Sequence, residues 1–186
     1  SPLGRGKQQV FDALMAARCP GVVRRDDLLV DGETIFVGEV GGALPTVPPE
    51  LSIYASRNTA MMIAAAEEIR DQIEEACASY GRERIAVVMG TSTSGMEEVE
   101  IAVARAEASG ELPTGYDFRQ HELGSAAEAL AVYLELEGPA FTVSTACSSS
   151  AQALADGRRL LRTGIADAVL AGGADSLCRL TVNGFH

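Results

Sequence analysis

The sequence has 186 residues, a length that suits one domain with a substantial core or a part of a larger protein. Apolar residues make up 47% and charged residues 22%, which argues against disorder, and the net charge of −11 excludes a basic nucleic-acid-binding surface. No apolar run approaches the roughly 20 residues of a membrane-spanning helix, and the four cysteines lie far apart without CxxC spacing. We therefore expect a reduced, cytoplasmic setting, with neither nucleic acid nor membrane as a partner.

The first part of the chain predicts a helix, a strand and a second, longer helix. The first helix covers about residues 8–18 and is stopped by the sequence Cys-Pro-Gly at residues 19–21. The segment ETIFVGEV alternates apolar and polar residues as a strand or hairpin arm does. Apolar residues recur at helical spacing through residues 57–80, with acidic residues between them, so one long amphipathic helix is predicted there.

The second part of the chain alternates short apolar runs with amphipathic segments. Strands are predicted at residues 84–90, 140–144 and 167–172, and helices at residues 96–108, 122–136 and 148–162, the last ended by Gly164. This alternation predicts an α/β layered sheet with helices on its faces. Ligands bind such sheets where loops leave the carboxyl ends of the strands, and the loops TSTSG and TACSSS both follow predicted strands.

Cys147 directly follows one predicted strand and directly precedes a predicted helix. Its sulfur would project from a sharp turn beside the first N–H groups of that helix, where the helix dipole favours a thiolate and free N–H groups can stabilise an oxyanion. From the residues alone, an inert buried cysteine remains the default alternative. The other three cysteines lack the strand-turn-helix setting and are expected to be of that buried, inert kind: Cys19, Cys77 and Cys178.

Residues 138–177, GPAFTVSTACSSSAQALADGRRLLRTGIADAVLAGGADSL, resemble the nucleophile region of β-ketoacyl-[acyl carrier protein] synthases, which belong to the thiolase superfamily. The shared features are the GP before the strand, the TAC turn, the ADxxLAGG segment and the upstream GTSTSG loop. The resemblance covers roughly everything after Arg84, and the opening SPLG resembles the first loop of the family. STACSSS is similar to the elongating type of ketosynthase, whereas thiolases usually show CxSG with a different lead-in.

The resemblance implies a thiolase-like layered fold, with helices around a mixed β-sheet. It implies that residues 1–186 form the N-terminal ketosynthase domain without its first strand and without the C-terminal half. Two histidines and a lysine that support decarboxylation in the family come from that second half. None of the residues His121, His186 and Lys7 occupies a matching position, so none of them is assigned a role in decarboxylation.

The resemblance also implies an activity. Cys147 would accept an acyl group from acyl carrier protein, with its backbone N–H contributing to the oxyanion hole. Decarboxylative Claisen condensation with malonyl-acyl carrier protein would then give a 3-oxoacyl chain two carbons longer, in fatty acid or polyketide-type synthesis. No metal or redox cofactor is implied, because the substrates are carried on the 4'-phosphopantetheine of acyl carrier protein.

Thr93, in the TSTSG loop, is implied by the resemblance to line the acyl pocket. An equally weighted alternative is that this loop's small residues only permit tight packing. The loop lacks GK[ST], which argues against a phosphate-binding P-loop. Gly172 and Gly173 are interpreted as positions of close strand packing rather than as a ligand site.

The partners implied by the resemblance are acyl carrier protein and a second subunit. That subunit is either a second copy, joined through the strand before the nucleophile, or a related ketosynthase-like chain. Two alternative functions remain open. The first is a thiolase or another acyl-CoA acyltransferase. The second is a non-catalytic partner subunit, which the intact Cys147 contradicts because chain-length-factor partners lack the nucleophile.

Overall fold

The computed structural model describes residues 1–186, which divide into two compact units, Ser1–Ala43 with Leu177–His186, and Leu44–Ser176. The assignment of residues 1–186 to a single domain remains a prediction, because the two compact units neither confirm nor contradict it. In chain order the helices and strands are α1 (Gly6–Met15), β1 (Val22–Arg25), β2 (Ile35–Gly38), α2 (Arg57–Glu67), α3 (Arg70–Tyr80), β3 (Ile85–Gly90), α4 (Met96–Ser109), α5 (Ser125–Tyr133), β4 (Ala140–Val143), α6 (Ser149–Arg162), β5 (Ala168–Gly173) and α7 (Arg179–Phe185).

The smaller unit contains α1, α7 and an antiparallel pair of strands. β1 and β2 pair with Val22 opposite Gly38, which confirms the predicted hairpin arm. Four buried residues form its apolar core: Leu28, Leu29, Val37 and Val182. The first helix is confirmed but ends earlier than predicted, because Ala17 adopts a left-handed φ of 51°.

The larger unit is built on a three-stranded parallel sheet in the order β4-β3-β5. The central strand β3 is buried along its whole length, as its continuous apolar run predicts. Ile85, Val87 and Met89 pack into a core with α2, α3 and α5. Since side chains alternate along a strand, the other face of β3 is left for α6, which packs against both β3 and β5.

The helix predicted over residues 57–80 is wrong as a single helix. α2 ends at Glu67 and α3 begins at Arg70, with Ile69 between them at φ −125° and ψ 22°. Apolar spacing does not reveal this break because Ile69 packs against the same core that contains Ile73. Ser56 begins α2 as its cap, its hydroxyl accepting the Thr59 N–H at 3.0 Å.

The remaining predicted elements are confirmed with small shifts of their ends. The three strands of the second part appear as β3, β4 and β5, and α4 begins at Met96 as predicted. α5 is shorter than predicted, and α7 was not predicted. No helix has the length and apolar content to cross a bilayer.

Candidate active site

Cys147 occupies a short 3-10 turn, Ala146–Ser148, between the end of β4 and the first residue of α6. Its side chain is exposed, so it is not the buried, inert cysteine that was the default alternative. Cys77 and Cys178 are buried as predicted. Cys19 is exposed, so its predicted burial is wrong. The residue lies in the connection between α1 and β1, outside the apolar core.

The residue before Cys147 has a strained backbone. Ala146 adopts a left-handed φ of 52°, a conformation that costs a residue with a Cβ atom about 1–2 kcal/mol relative to right-handed backbone. Thr145, at φ −129° and ψ 41°, precedes it. These two residues turn the chain sharply from β4 into α6. Strain of this kind clusters at functional sites, where the surrounding structure holds it in place.

The hydroxyl groups of Ser148 and Ser149 hold this turn, which we call the nucleophile turn and define as residues 144–149. The Ser149 hydroxyl accepts the Thr145 N–H at 2.9 Å and donates to the Ala146 carbonyl oxygen at 2.7 Å. The Ser148 hydroxyl donates to the Thr145 carbonyl oxygen at 2.7 Å. The side chains of Ser148 and Ser149, which follow Cys147, therefore tie the backbone of Thr145 and Ala146, which precede it, to the start of α6.

Two glycines allow α6 to approach the sheet. A Cβ atom on Gly90 would lie 2.6 Å from the Ser149 carbonyl carbon and the Ser150 nitrogen. A Cβ atom on Gly173 would collide with the Gly90 carbonyl oxygen, which confirms the interpretation of Gly173 as close packing. Gly172 differs, because its Cβ atom would meet only the Met89 methyl carbon at 3.6 Å.

The TSTSG loop, residues 91–95, is held by the carboxylate of Asp175. Its Oδ1 atom accepts the Ser92 N–H at 2.7 Å and the Thr91 hydroxyl at 2.9 Å. It also accepts the Thr93 N–H and the Thr93 hydroxyl, each at 3.1 Å. This loop meets the nucleophile turn where the Ser92 and Ser149 hydroxyl oxygens lie 3.4 Å apart. The two loops predicted to form the site are therefore in contact.

Asp175 is a residue that the sequence reasoning missed. Its signal was an acidic side chain two residues beyond the end of β5, at the same end of the sheet as the TSTSG loop. Parallel strands β3 and β5 end together, since Gly90 lies opposite Gly173. A carboxylate placed there can accept the N–H groups of the neighbouring loop.

Thr93 is 5% exposed, and its hydroxyl is engaged by Asp175 and by the Ser176 N–H at 3.0 Å. It therefore has a structural part in the loop, and its lining of an acyl pocket stays a prediction. An apolar cavity of about 220 Å³ lies elsewhere in the same unit, between α2, α5, β3 and β5. Its walls include Met61, Ile69 and Leu170 but not Thr93.

The two histidines have local partners. The His121 Nδ1 atom lies 3.1 Å from the Tyr116 hydroxyl, and its ring meets Phe118 edge-on at 4.4 Å between centroids. His186 lies 3.8 Å from Glu33, and together with Asp31 these exposed groups form a cluster to which we assign no metal. Neither histidine gains a catalytic assignment from these contacts.

A shifted pKa marks the opposite end of the sheet. Arg84 and Asp167 pair at 2.7 Å at the amino ends of β3 and β5, and the Arg84 guanidinium lowers the pKa of the Asp167 carboxyl below its ordinary value. The nucleophile turn lies at the carboxyl ends of the strands. The ion pair therefore supports the sheet and is separate from the candidate site.

Comparison with known proteins gives the family. The family model described as beta-ketoacyl synthase, N-terminal domain, matches residues 47–186. The chain belongs to the beta-ketoacyl synthase family.

Curated relatives agree with this. Nodulation protein E from Rhizobium sp. (strain N33) is 28% identical over 147 residues, which cover 76% of this chain and 37% of that protein. The 3-oxoacyl-[acyl-carrier-protein] synthase 2 of Rhizobium meliloti (strain 1021) is 43% identical over 61 residues, which cover 32% of this chain and 14% of that protein.

Solved structures confirm the thiolase-like α/β fold. A chain of the complex between the ketosynthase ApeO and its chain length factor ApeC from Xenorhabdus doucetiae superposes with a TM-score of 0.94 at 44% identity, covering 99% of this chain and 47% of that chain. A chain of the ishigamide ketosynthase/chain length factor superposes with a TM-score of 0.80 at 26% identity, covering 100% of this chain and 47% of that chain. The chain thus spans less than half the length of these relatives.

Proposed function

We propose that Cys147 carries an acyl group and that the protein condenses it with malonyl-acyl carrier protein to give 3-oxoacyl-acyl carrier protein. The observation that carries this proposal is the exposed Cys147 on a strained turn at the carboxyl end of a parallel sheet. A thiol in this position is accessible to a thioester and lies beside the first N–H groups of α6, which have no acceptor within the helix.

The first step is acyl transfer. The Cys147 thiolate attacks the thioester carbonyl carbon of an acyl carrier protein, and the carbonyl oxygen becomes an oxyanion. The Cys147 N–H and the helix N-terminus favour that charge. The carbon–sulfur bond to the pantetheine then breaks, the pantetheine leaves as a thiolate that takes up a proton, and the acyl group remains on Cys147.

The second step is condensation. A malonyl thioester loses carbon dioxide, and the electron pair of the broken bond forms a carbanion at the remaining carbon. This carbanion attacks the acyl-Cys147 carbonyl, and the Cys147 thiolate leaves. The product is a 3-oxoacyl thioester two carbons longer. The groups that assist decarboxylation are proposed to lie in the remainder of the protein, because its relatives are more than twice the length of this chain.

The proposed partners are acyl carrier protein and a second ketosynthase-like subunit. The similarity to chains from two ketosynthase and chain length factor complexes supports a heterodimer, with a homodimer as the alternative. The substrates would bring 4'-phosphopantetheine with them, so the proposed reaction uses no metal or redox cofactor. A reduced cytoplasm is the proposed compartment, in keeping with four free cysteines.

A second candidate function is that of a non-catalytic partner subunit. The observation that favours it is that both of those complexes contain a chain length factor. Cys147 favours the condensing subunit instead, because a non-catalytic partner has no need of an exposed thiol on a strained turn.

A condensation assay tests the proposal. The complete polypeptide that carries this sequence, with its partner subunit, would be incubated with acyl- and malonyl-acyl carrier protein. Carbon dioxide release and a 3-oxoacyl product two carbons longer are expected, and Cys147→Ala is expected to abolish that product. Equal product from the Cys147→Ala complex would assign the activity to the partner and favour the second candidate. Acylation by coenzyme A thioesters alone would favour a thiolase or another acyltransferase.

A further inference from the structure

The Ser149 hydroxyl forms hydrogen bonds to the backbone on both sides of Ala146, the strained residue of the nucleophile turn. It bonds to the Thr145 N–H on one side of Ala146 and to the Ala146 carbonyl oxygen on the other, at 2.9 Å and 2.7 Å. Ser149 is 3% exposed, so water has little access to replace these bonds. One buried hydroxyl therefore satisfies two backbone groups that flank a left-handed alanine.

The same hydroxyl also joins the nucleophile turn to the neighbouring loop. A serine hydroxyl has one hydrogen and two lone pairs. Its hydrogen goes to the Ala146 carbonyl oxygen and one lone pair accepts the Thr145 N–H, so the Ser92 hydroxyl must be the donor across the 3.4 Å contact. Ser92 is itself fixed, because its N–H donates to Asp175 at 2.7 Å. All the capacity of the Ser149 hydroxyl is thus used within the site.

We infer that Ser149 is a positioning residue for Cys147. It holds Ala146 in the left-handed conformation and thereby sets the direction of the Cys147 sulfur relative to the N–H groups of the turn. This inference rests on the proposed acyl-accepting role of Cys147. Ser149 itself does not touch the substrate, since its hydroxyl is buried and directed to Thr145, Ala146 and Ser92.

Two reactions of the same thiol separate positioning from reactivity. Acyl transfer requires the sulfur and the oxyanion-stabilising N–H groups to meet one carbonyl in one geometry. Alkylation by iodoacetamide requires only an accessible thiolate. Loss of positioning therefore slows acyl transfer and leaves alkylation nearly unchanged, whereas loss of the fold or of thiolate reactivity changes both.

The test uses the complete polypeptide as wild type, Ser149→Ala and Ser150→Ala. Ser150→Ala removes a hydroxyl from the same helical turn, one that lies beside Gly173 of β5 and makes none of the contacts to Thr145 and Ala146. Acylation is measured by mass spectrometry with acetyl-, hexanoyl- and dodecanoyl-acyl carrier protein, using the fastest wild-type substrate. Rates are normalised to the folded fraction, determined by urea unfolding.

Ser149→Ala is expected to slow acyl transfer by about 10- to 100-fold. The alkylation rate of Cys147, measured on the peptide that contains it because Cys19 is exposed too, is expected to stay within about threefold of wild type. Ser150→Ala is expected to behave as wild type in both reactions. Acyl transfer by Ser149→Ala at the wild-type rate, or equal losses in both reactions, would overturn the inference. A wild-type protein without any adduct on Cys147 would overturn the proposed function as well.

A double variant covers the case in which Ser149→Ala does not fold. Glycine adopts left-handed backbone without strain, so Ser149→Ala combined with Ala146→Gly restores the turn without the hydroxyl. The double variant is expected to fold. If Ser149→Ala folds, the double variant should transfer acyl groups faster per folded molecule; if Ser149→Ala is unfolded, the double variant should show a measurable rate of acyl transfer. A folded double variant without this recovery would contradict the claim that the hydroxyl acts by holding Ala146.

Discussion

The Oδ1 atom of Asp175 accepts the Ser92 N–H at 2.7 Å, which joins the end of β5 to the loop that follows β3. The contact is made between residues 83 positions apart in the chain. It depends on parallel strands that end level with each other, as Gly90 and Gly173 do. Through the contact of Ser92 with Ser149, this carboxylate supports the turn that carries Cys147.

Asp175→Ala is expected to destabilise the protein, because it removes the acceptor of four hydrogen bonds from residues 91–93. We expect a loss of about 1.5–3 kcal/mol in the free energy of unfolding, the range that hydrogen bonds to charged groups contribute. Asp175→Asn is the matched variant, since it keeps an oxygen acceptor and should lose less. Urea unfolding measures both. Equal stability of Asp175→Ala and wild type would contradict the role given to this carboxylate.

Thr91→Val tests the buried side of the same loop. The Thr91 hydroxyl accepts the Ser94 N–H at 3.0 Å and the Asn58 amide at 3.3 Å, and Thr91 is 0% exposed. Valine has the same shape but leaves the Ser94 N–H without its acceptor, while the Asn58 amide keeps its bond to the Ala174 carbonyl oxygen, so a loss of about 1–3 kcal/mol in unfolding free energy is expected. Thr91→Ser keeps the hydroxyl and should lose about 1 kcal/mol, for one buried methyl group. If both variants lost equally, packing rather than hydrogen bonding would be responsible.

Gly90→Ala tests the close approach of α6 to the sheet. Its Cβ atom would lie 2.6 Å from backbone atoms of Ser149 and Ser150, which cannot move without displacing the nucleophile turn. We expect a loss of about 1–3 kcal/mol in unfolding free energy from overpacking, together with slower acylation of Cys147. Gly124→Ala is the matched control, because its Cβ atom meets only Glu128 at 3.7 Å and its φ is −64°. Equal stability of the two variants would refute the packing argument.

The Arg84–Asp167 pair predicts a dependence of stability on pH. The guanidinium lowers the pKa of Asp167 in the folded protein, so the pair stabilises the fold above the ordinary aspartate pKa of about 4. That contribution is lost as the pH falls through the lowered pKa. Asp167→Asn should therefore unfold at lower urea concentration than wild type at pH 7, and the difference should shrink on acidification towards pH 3. A difference that is constant with pH would contradict this assignment.

Asp167→Asn is preferable to Arg84→Ala in that experiment. Arg84 also donates to the carbonyl oxygens of Ile165 and Gly164, at 3.1 Å and 2.7 Å. Replacing it would remove those bonds as well, and their contribution does not follow the titration of Asp167. The asparagine variant changes the charge and keeps the shape.

Much of the larger unit was predictable because its strands are short, continuous apolar runs. The continuous apolar run at β3 indicates a strand that is covered on both faces, and the Gly-rich end of β5 indicates close packing, although β5 itself is only partly buried. Cys147 was predictable for a related reason, since its strand-turn-helix setting is local. The exposed side chain and the start of α6 at Ser149 agree with that setting.

The remaining features depend on contacts between distant residues. The break at Ile69 keeps apolar spacing intact, so periodicity cannot reveal it. Asp175 acquires its part only when β3 and β5 lie side by side. In the sequence, Ser149 looks like any small residue at the start of a helix. Its role becomes visible only in the structure, where its buried hydroxyl bonds to the left-handed Ala146. Sequence patterns indicate which face of a helix or strand is buried, whereas these features depend on tertiary contacts.

Intact-mass spectrometry after incubation with an acyl-acyl carrier protein tests the central claim most directly. The complete polypeptide and the same protein with Cys147→Ala would be compared, with Cys178→Ala as a control in which a buried cysteine is removed. We expect a single acyl adduct on wild type and on Cys178→Ala, and none on Cys147→Ala. An adduct that persists in Cys147→Ala, or the absence of any adduct on wild type, would contradict the assignment of Cys147 as the acyl-accepting nucleophile.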